Sequence, residues 1–304
     1  MEYVPLDVLQ KGKNQEYYKK RGVGIYNDFK TFGSSRLISE ANAIEFYNFA
    51  KGLEEISIYE FGVGNGKFAF FFLKKLKEID GNILKKITYY LCDISEKMLK
   101  EAEKINKFAN IVLVNNNALD VDIKNATYVR SNELYDDLPA KMFVKRENRL
   151  YEVYYSERLD KKYVRKNNKK IFEFMKQMPE DFEIPINQVA LKHLKKCVKN
   201  TKGYIDVFDY GFYDIGEIKL YPKEMWNNMM VREFNGQLTV DVNFFYLAKN
   251  INHNSIVQWQ QDYVERIYKK KLYSSEKDQL YYSTKKKDVE ENYEYKHMRI
   301  EGIR

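Results

Sequence analysis

The segment Glu60-Phe61-Gly62-Val63-Gly64-Asn65-Gly66 sets three alternate glycines directly after an acid. It lies between a short apolar run, 56–61, and an apolar run with helical spacing, 66–79. Glycine adopts positive φ without steric cost, so such a turn lets the backbone approach a small ligand at the end of a strand. Three kinds of ligand loop compete for this pattern. A Walker A loop requires a glycine four residues before Gly-Lys and a hydroxyl after it. Gly66-Lys67 is present, but Phe61 stands where the first glycine belongs and Phe68 replaces the magnesium-binding hydroxyl. A dinucleotide loop requires its third glycine where Lys67 stands, and the next strand-ending acid, Asp93, comes a full helix too late. The third kind holds S-adenosylmethionine, which has no pyrophosphate to cradle.

For that cofactor the positions are chemically apt. Gly62, Gly64 and Gly66 admit the methionine moiety and the adenosine to the backbone. Glu60 can meet the ammonium group directly or through water. Asp93, with Ile94 beside it, ends the second strand, and a carboxylate accepts from both ribose hydroxyls. Asn117-Ala118 follow the third strand, where an amide and a backbone N–H address the adenine edge. A fourth strand ends in Asn132-Glu133, with Tyr135, Asp136 and Asp137 close behind, and this is where an acceptor pocket would lie.

The elements that must position these residues are legible in the periodicity. Strands are predicted at 56–61, 87–93, 110–116 and 126–133, alternating with helices at 66–79 and 95–107, the latter capped by Ser95. A helix at 37–49, capped by Ser34 or Ser35 and stopped by Gly52, precedes them. This alternation predicts an α/β protein with a mostly parallel sheet covered on both faces. After Pro139 the pattern changes to a hairpin over 141–158 turning at Glu147-Asn148, then to charged, irregular chain with a short helix at 168–177. An amphipathic helix at 187–200 is closed by Gly203, and a fifth strand runs over 204–211. Strand character at 237–248, a helix at 255–272 and a highly charged tail or peripheral hairpin complete the chain. The organisation expected is a helical lead (1–52), a main domain (53–273) with an insertion at about 144–200, and a C-terminal segment (274–304).

Composition narrows the setting. The 304 residues can bury one sizeable core. The excess of 52 basic over 44 acidic residues is interspersed, which reads as a solvated lysine-rich surface; a nucleic-acid partner is possible on charge but not favoured. Cys92 and Cys197 form no CxxC pair and fall in apolar segments, so buried free thiols and no zinc or other metal site are expected. The longest apolar run, 68–73, is too short to span a bilayer, and residues 1–15 lack the apolar core of a signal peptide. A cytoplasmic protein without membrane contact is expected. His193, His253 and His297 are scattered, and none is assigned as base or ligand.

The segment Asn132-Glu133-Leu134-Tyr135-Asp136-Asp137-Leu138-Pro139, followed by Phe143, resembles the Asn-Glu-Phe-Phe-Asp-Ala-Leu-Pro stretch of the MidA-like S-adenosylmethionine-dependent methyltransferases, whose mitochondrial members assist assembly of respiratory complex I. Other landmarks follow in order: "NDFKT" (27–31), "YEFGVGNGKF" (59–68), "DVFDYGF" (206–212), "GEIKLY" (216–221) and "QLTVDVNFFYL" (237–247). Asn27, Gln237 and Asn243 depart from the family's glycine and two aspartates. The resemblance implies a Rossmann-like class I methyltransferase fold with a seven-stranded, mostly parallel sheet. It also implies S-adenosylmethionine as cofactor and, as in the mitochondrial branch, methylation of a partner protein's arginine. A guanidinium stays protonated near neutral pH, so the enzyme must hold it with carboxylates that localise its charge. Glu133 is the first choice, Asp136 the second and Asp209 the third; Asn132 orients the nucleophilic nitrogen, and Tyr135 or Tyr210 packs against the cation. The rival readings are an RNA or small-molecule methyltransferase and a cofactor-binding assembly factor with little catalysis.

Overall fold

The computed structural model describes residues 2–21, 36–271, 273–275, 278–283 and 295–302. The expected caps Ser34 and Ser35 and the 27–31 landmark lie outside the described residues. The chain forms two compact units. One comprises 21–134, 195–209 and 253–304; the other comprises 1–20, 135–194 and 210–252.

The first unit is built on strands β1 (Ile56–Phe61), β2 (Ile87–Asp93), β3 (Asn110–Asn115), β4 (Ala126–Asn132), β5 (Thr201–Phe212, to residue 209 in this unit), β6 (Ser255–Trp259) and β7 (Tyr295–Glu301). Their order is β6-β7-β5-β4-β1-β2-β3. The pairs β5-β4, β4-β1, β1-β2 and β2-β3 are parallel, and β6-β7 is antiparallel. The far end of β5, in the other unit, adds a short parallel partner at Val242–Asn243, so the sheet counts eight strands and is mixed. The expectation of seven strands is corrected by that addition.

β1 lies at the centre of the parallel run and five of its six residues are buried, which is why it reads as a continuous apolar run. Ala69, Phe72, Leu73 and Leu76 share one face of the helix Lys67–Ile79 and enter the core with Ile58, Tyr89 and Tyr128. The helix Arg36–Ala50 packs on the same helix through Ala43 and Phe46. Ser95 caps the helix Glu96–Ile105 as expected, accepting from Met98 N at 3.4 Å.

A row of buried charge crosses this core. Glu60, Arg130 and Asp206 are register neighbours on β1, β4 and β5. Asp206 is fully buried and accepts hydrogen bonds from Asn42 Nδ2 (3.0 Å), Tyr128 OH (2.8 Å), His297 Nε2 (2.8 Å), and Arg299 Nε and Nη2 (both 2.7 Å). His297 Nδ1 faces Gln258 Nε2 at 3.1 Å. A carboxamide nitrogen only donates, so His297 is the neutral tautomer with its proton on Nε2. Burial accordingly pushes its pKa down, against the pull of Asp206. These bonds draw β7 into the sheet.

The second unit carries the helix Leu6–Arg21 and a five-stranded antiparallel sheet of Val4–Pro5, Lys141–Arg146, Arg149–Tyr155, Lys161–Lys166 and Glu183–Ile186. The hairpin turns at Glu147 and Asn148, with φ of 47° and 58°, the geometry of a two-residue turn that matches strand twist. Buried His193 lies 3.0 Å from Tyr135 OH. Among the described residues no group of three or more His, Cys, Asp or Glu could hold a metal ion, and no helix is long and apolar enough to cross a membrane.

Several elements differ from expectation for local reasons. Lys161–Lys166, four of whose six residues are basic, is a strand and not irregular chain. Glu183–Ile186 is a strand despite Pro185 because it lies at a sheet edge, where a missing N–H is tolerated. Gly203 does not close a helix; it sits within β5, where a Cβ would stand 2.2 Å from Thr127 O. The 237–248 run is divided between the strands Gln237–Val240 and Val242–Asn243 and a helix from Phe244. Asn243 is the reason: its side-chain oxygen accepts from Tyr246 N at 2.8 Å and starts the helix. The 255–272 run opens as β6 and is helical only over Gln260–Tyr268. Within the last 32 residues Tyr273–Ser275 pairs antiparallel with Asp278–Ser283, and Tyr295–Glu301 is an interior strand of the sheet.

Candidate functional site

The carboxyl ends of β1, β2, β3 and β4 lie in one unit and carry Glu60, the glycine loop, Asp93-Ile94, Asn117-Ala118 and Asn132-Glu133. Gly62, Gly64 and Gly66 have φ of 68°, 59° and 73°, all left-handed. The loop is tied down from several sides. Gly62 N donates to Cys92 O (3.0 Å), Gly64 N to Asp93 Oδ2 (3.3 Å), and Asn106 Nδ2 donates to Gly66 O (3.0 Å). A Cβ on Gly66 would stand 2.6 Å from Ala102 Cβ and 2.7 Å from Ala102 Cα. Gly66→Ala therefore meets both the left-handed strain, about 1–3 kcal/mol, and a backbone clash. It should lower thermal stability and weaken cofactor binding at least tenfold, read by calorimetric titration; unchanged affinity would mean the loop does not shape the site.

Glu60 is 2% exposed. Its Oε2 accepts from Tyr89 OH and lies 3.2 Å from Arg130 Nε. Arg130 is fully buried, its guanidinium 3.8 Å from the ring centre of Phe68 and 4.5 Å from that of Phe72. Burial pushes the Glu60 carboxyl up, and the Arg130 charge and the Tyr89 hydroxyl pull it back. Glu60 is thus committed to an internal pair beneath the loop, and neither Arg130 nor Tyr89 was foreseen from sequence.

Asp93 is held by two backbone donors, Gly64 N on Oδ2 and Ser95 N on Oδ1 (2.9 Å). Burial raises its pKa, and these N–H groups oppose the shift. Ile94, beside it, is 60% exposed, an apolar surface of the kind a flat heterocycle covers. Asn117 Oδ1 is taken by Leu119 N (2.9 Å), which leaves its amide N–H groups as the side chain's donors; Ala118 is half-buried.

Asn132 Oδ1 is buried and accepts no hydrogen bond. Glu133 adopts φ 47°, and its N–H donates to Phe208 O at 2.8 Å. A non-glycine residue held in the left-handed region at a strand end is strained, a feature that concentrates at functional positions. The next residue, Leu134, lies against Gly62, so the end of β4 abuts the glycine loop. Asp209 is fully buried. Asp136 and Tyr210 belong to the other unit, where Tyr210 OH donates to Asp136 Oδ2 at 2.5 Å and Arg232 lies 4.4 Å from the Tyr210 ring centre. Burial pushes the Asp136 carboxyl up; the Tyr210 hydroxyl and the Arg232 charge oppose it. Asp137 in that unit accepts from Gln237 Nε2 and Tyr18 OH.

The fold is shared with a structure of a COG1565 superfamily protein from Burkholderia thailandensis, at TM-score 0.66 and 13% identity over 98% of this chain and 87% of that one. A member of the same superfamily from that organism, described as a "likely methyl transferase" and bound to S-adenosylhomocysteine, matches at TM-score 0.66 and 13% identity over 98% and 88% of the two chains. No curated protein matches the sequence. A family model described as "Putative S-adenosyl-L-methionine-dependent methyltransferase" matches residues 41–261, well over half of the chain and inclusive of the glycine loop, Asp93 and Asn132-Glu133. The chain belongs to this family of S-adenosylmethionine-dependent methyltransferases.

Proposed function

We propose that the protein methylates a nitrogen of a partner protein, with an arginine guanidinium as the acceptor. The observation that carries this reading is Glu133. It is a carboxylate-bearing residue held at φ 47° at the end of β4, next to the strand whose glycine loop receives the cofactor. The strand order supports assignment to the class I methyltransferase fold, with five parallel strands flanked by an antiparallel pair. The 132–139 stretch supports placement in the MidA-like branch.

The arrangement suits S-adenosylmethionine: three left-handed glycines, a carboxylate at the end of β2, and an exposed isoleucine beside it. The loop would take the methionine end, Asp93 the ribose, and Ile94 and Asn117-Ala118 the adenine; Glu60, expected to meet the ammonium group, is instead held in its buried pair with Arg130. The bound cofactor supplies an electrophilic methyl group on a sulfonium. Transfer would be an in-line displacement in which the N–CH3 bond forms as the S–CH3 bond breaks, S-adenosylhomocysteine leaves and one guanidinium N–H proton passes to water, so positioning dominates the protein's contribution. Glu133 grips the acceptor guanidinium through charge-assisted hydrogen bonds. Asn132 Oδ1, without a donor in the structure, is suited to accept from the nucleophilic nitrogen and aim its lone pair. Cys92 and Cys197 are buried free thiols whose pKa burial pushes up, which favours a reducing compartment such as the cytoplasm.

The test is transfer of labelled methyl groups from the cofactor to a lysate of the source cells, with the labelled product hydrolysed to amino acids. Methylarginine is expected, with Glu133→Gln lowering the rate about 100-fold or more through loss of the charged contact and leaving cofactor affinity within threefold. Label in RNA or in a small molecule, with none in protein, would refute the acceptor class.

A further inference from the structure

Asp93-Ile94 is held from three directions, and one of them is a side chain without an assigned role. Asn115, the last residue of the edge strand β3, donates from Nδ2 to two successive carbonyls, Asp93 O at 3.1 Å and Ile94 O at 2.9 Å. Asn116 N also donates to Asp93 O, at 3.1 Å. From the other sides, Gly64 N and Ser95 N hold the two carboxylate oxygens. The β2-β3 ladder ends at the Asp93–Asn115 register pair, so the carboxamide continues the strand pairing past the last ladder position. It does so over the two residues whose side chains must present a carboxylate and an apolar face together.

We infer that Asn115 is a positioning residue for the adenosine half of the cofactor. It fixes the Asp93–Ile94 backbone so that the carboxylate meets the ribose hydroxyls while Ile94 lies under the adenine. This inference rests on the assignment of Asp93 and Ile94 to the cofactor made above. The physical logic is preorganisation. Ile94 is 60% exposed and gains little from its own packing, so backbone hydrogen bonds must hold its orientation before the ligand arrives. Asn115 is itself exposed, and its carboxamide is devoted to these two bonds, so removing it costs the fold little.

The experiment compares the wild type, Asn115→Ala and Asn115→Asp by calorimetric titration with S-adenosylhomocysteine and with 5′-methylthioadenosine, which lacks the amino-acid tail. Thermal unfolding without ligand is recorded for each. Asn115→Ala is expected to weaken both ligands tenfold or more, by the same factor within about twofold, with the melting temperature shifted by less than about 3 °C. Asn115→Asp keeps the shape, cannot donate, and sets an anion against two carbonyls; it should weaken both ligands at least as much. Unchanged affinity in Asn115→Ala, or a loss for S-adenosylhomocysteine not shared by 5′-methylthioadenosine, would overturn the inference. Failure of the wild type to bind S-adenosylhomocysteine would instead overturn the cofactor assignment, and this inference with it.

Discussion

Replacement of Arg130 by methionine is expected to lower the free energy of unfolding by about 3–5 kcal/mol, the cost of leaving one member of a buried ion pair behind. Glu60 would be the residue left. At 2% exposure it has Tyr89 OH as its other polar contact, and burial already pushes its pKa up against the Arg130 charge. With that charge gone, Glu60 takes up a proton closer to neutrality, and the variant's stability should rise as the pH is lowered from 8 toward 5. The sign follows from linkage: a carboxyl with a folded pKa above its unfolded value binds more protons when folded, so acidification favours the folded state. Methionine also forfeits the guanidinium stacked on Phe68 and Phe72. The double variant Glu60→Gln/Arg130→Met should recover most of the loss, since neither partner then buries an unpaired charge. Urea unfolding of the single and double variants at pH 8 and pH 5 checks this. A single variant as stable as the wild type, or a double variant no better than the single, would show that the pair is not coupled.

A loss of similar size, again about 3–5 kcal/mol, is expected for Asp206→Asn, with a different pH signature. Burial alone would push the Asp206 carboxyl up, but Arg299 and His297 outweigh it and hold it well below the usual carboxylate range. A depressed folded pKa means that the stabilisation is complete above the unfolded value, about 3.9, and is lost as the pH falls below it toward the folded value. The stability difference between wild type and Asp206→Asn should therefore be constant between pH 8 and about 5 and shrink below about pH 4. His297, whose pKa burial lowers, adds a gentler loss as the pH falls through the histidine range, because the unfolded chain takes up a proton that the buried ring refuses. Denaturant titrations of both proteins at pH 7, 5 and 3.5 measure the difference. A difference that grows on acidification would contradict the ion-pair account.

Both predictions rest on residues whose partners sequence pattern alone does not reveal. The parallel run of strands is legible because each central strand is apolar on both faces and each covering helix repeats its apolar residues at helical spacing. The loop glycines, Asp93 and the 132–139 stretch are legible because their chemistry is local in sequence. What is not legible comes from distance along the chain. Arg130 gains its meaning only when β4 is placed beside β1, which brings it into register with Glu60. Asp206 has no partner visible near it in the sequence; β7, nearly a hundred residues later, brings His297 and Arg299 to it. Tyr295–Glu301 is hidden by the charged stretch that precedes it, and Lys161–Lys166 by its own lysines. Asn115 offers no signal at all, since an asparagine at a strand end is ordinarily a turn residue.

The central claim is that the glycine loop and Asp93 hold S-adenosylmethionine rather than a dinucleotide. Calorimetric titration of the purified chain with S-adenosylhomocysteine and, in parallel, with NADH tests it most directly. The account predicts micromolar binding of the former, weakened at least 30-fold by Asp93→Ala, and no heat from NADH. Binding of NADH, or a wild type that takes up no S-adenosylhomocysteine, would contradict it.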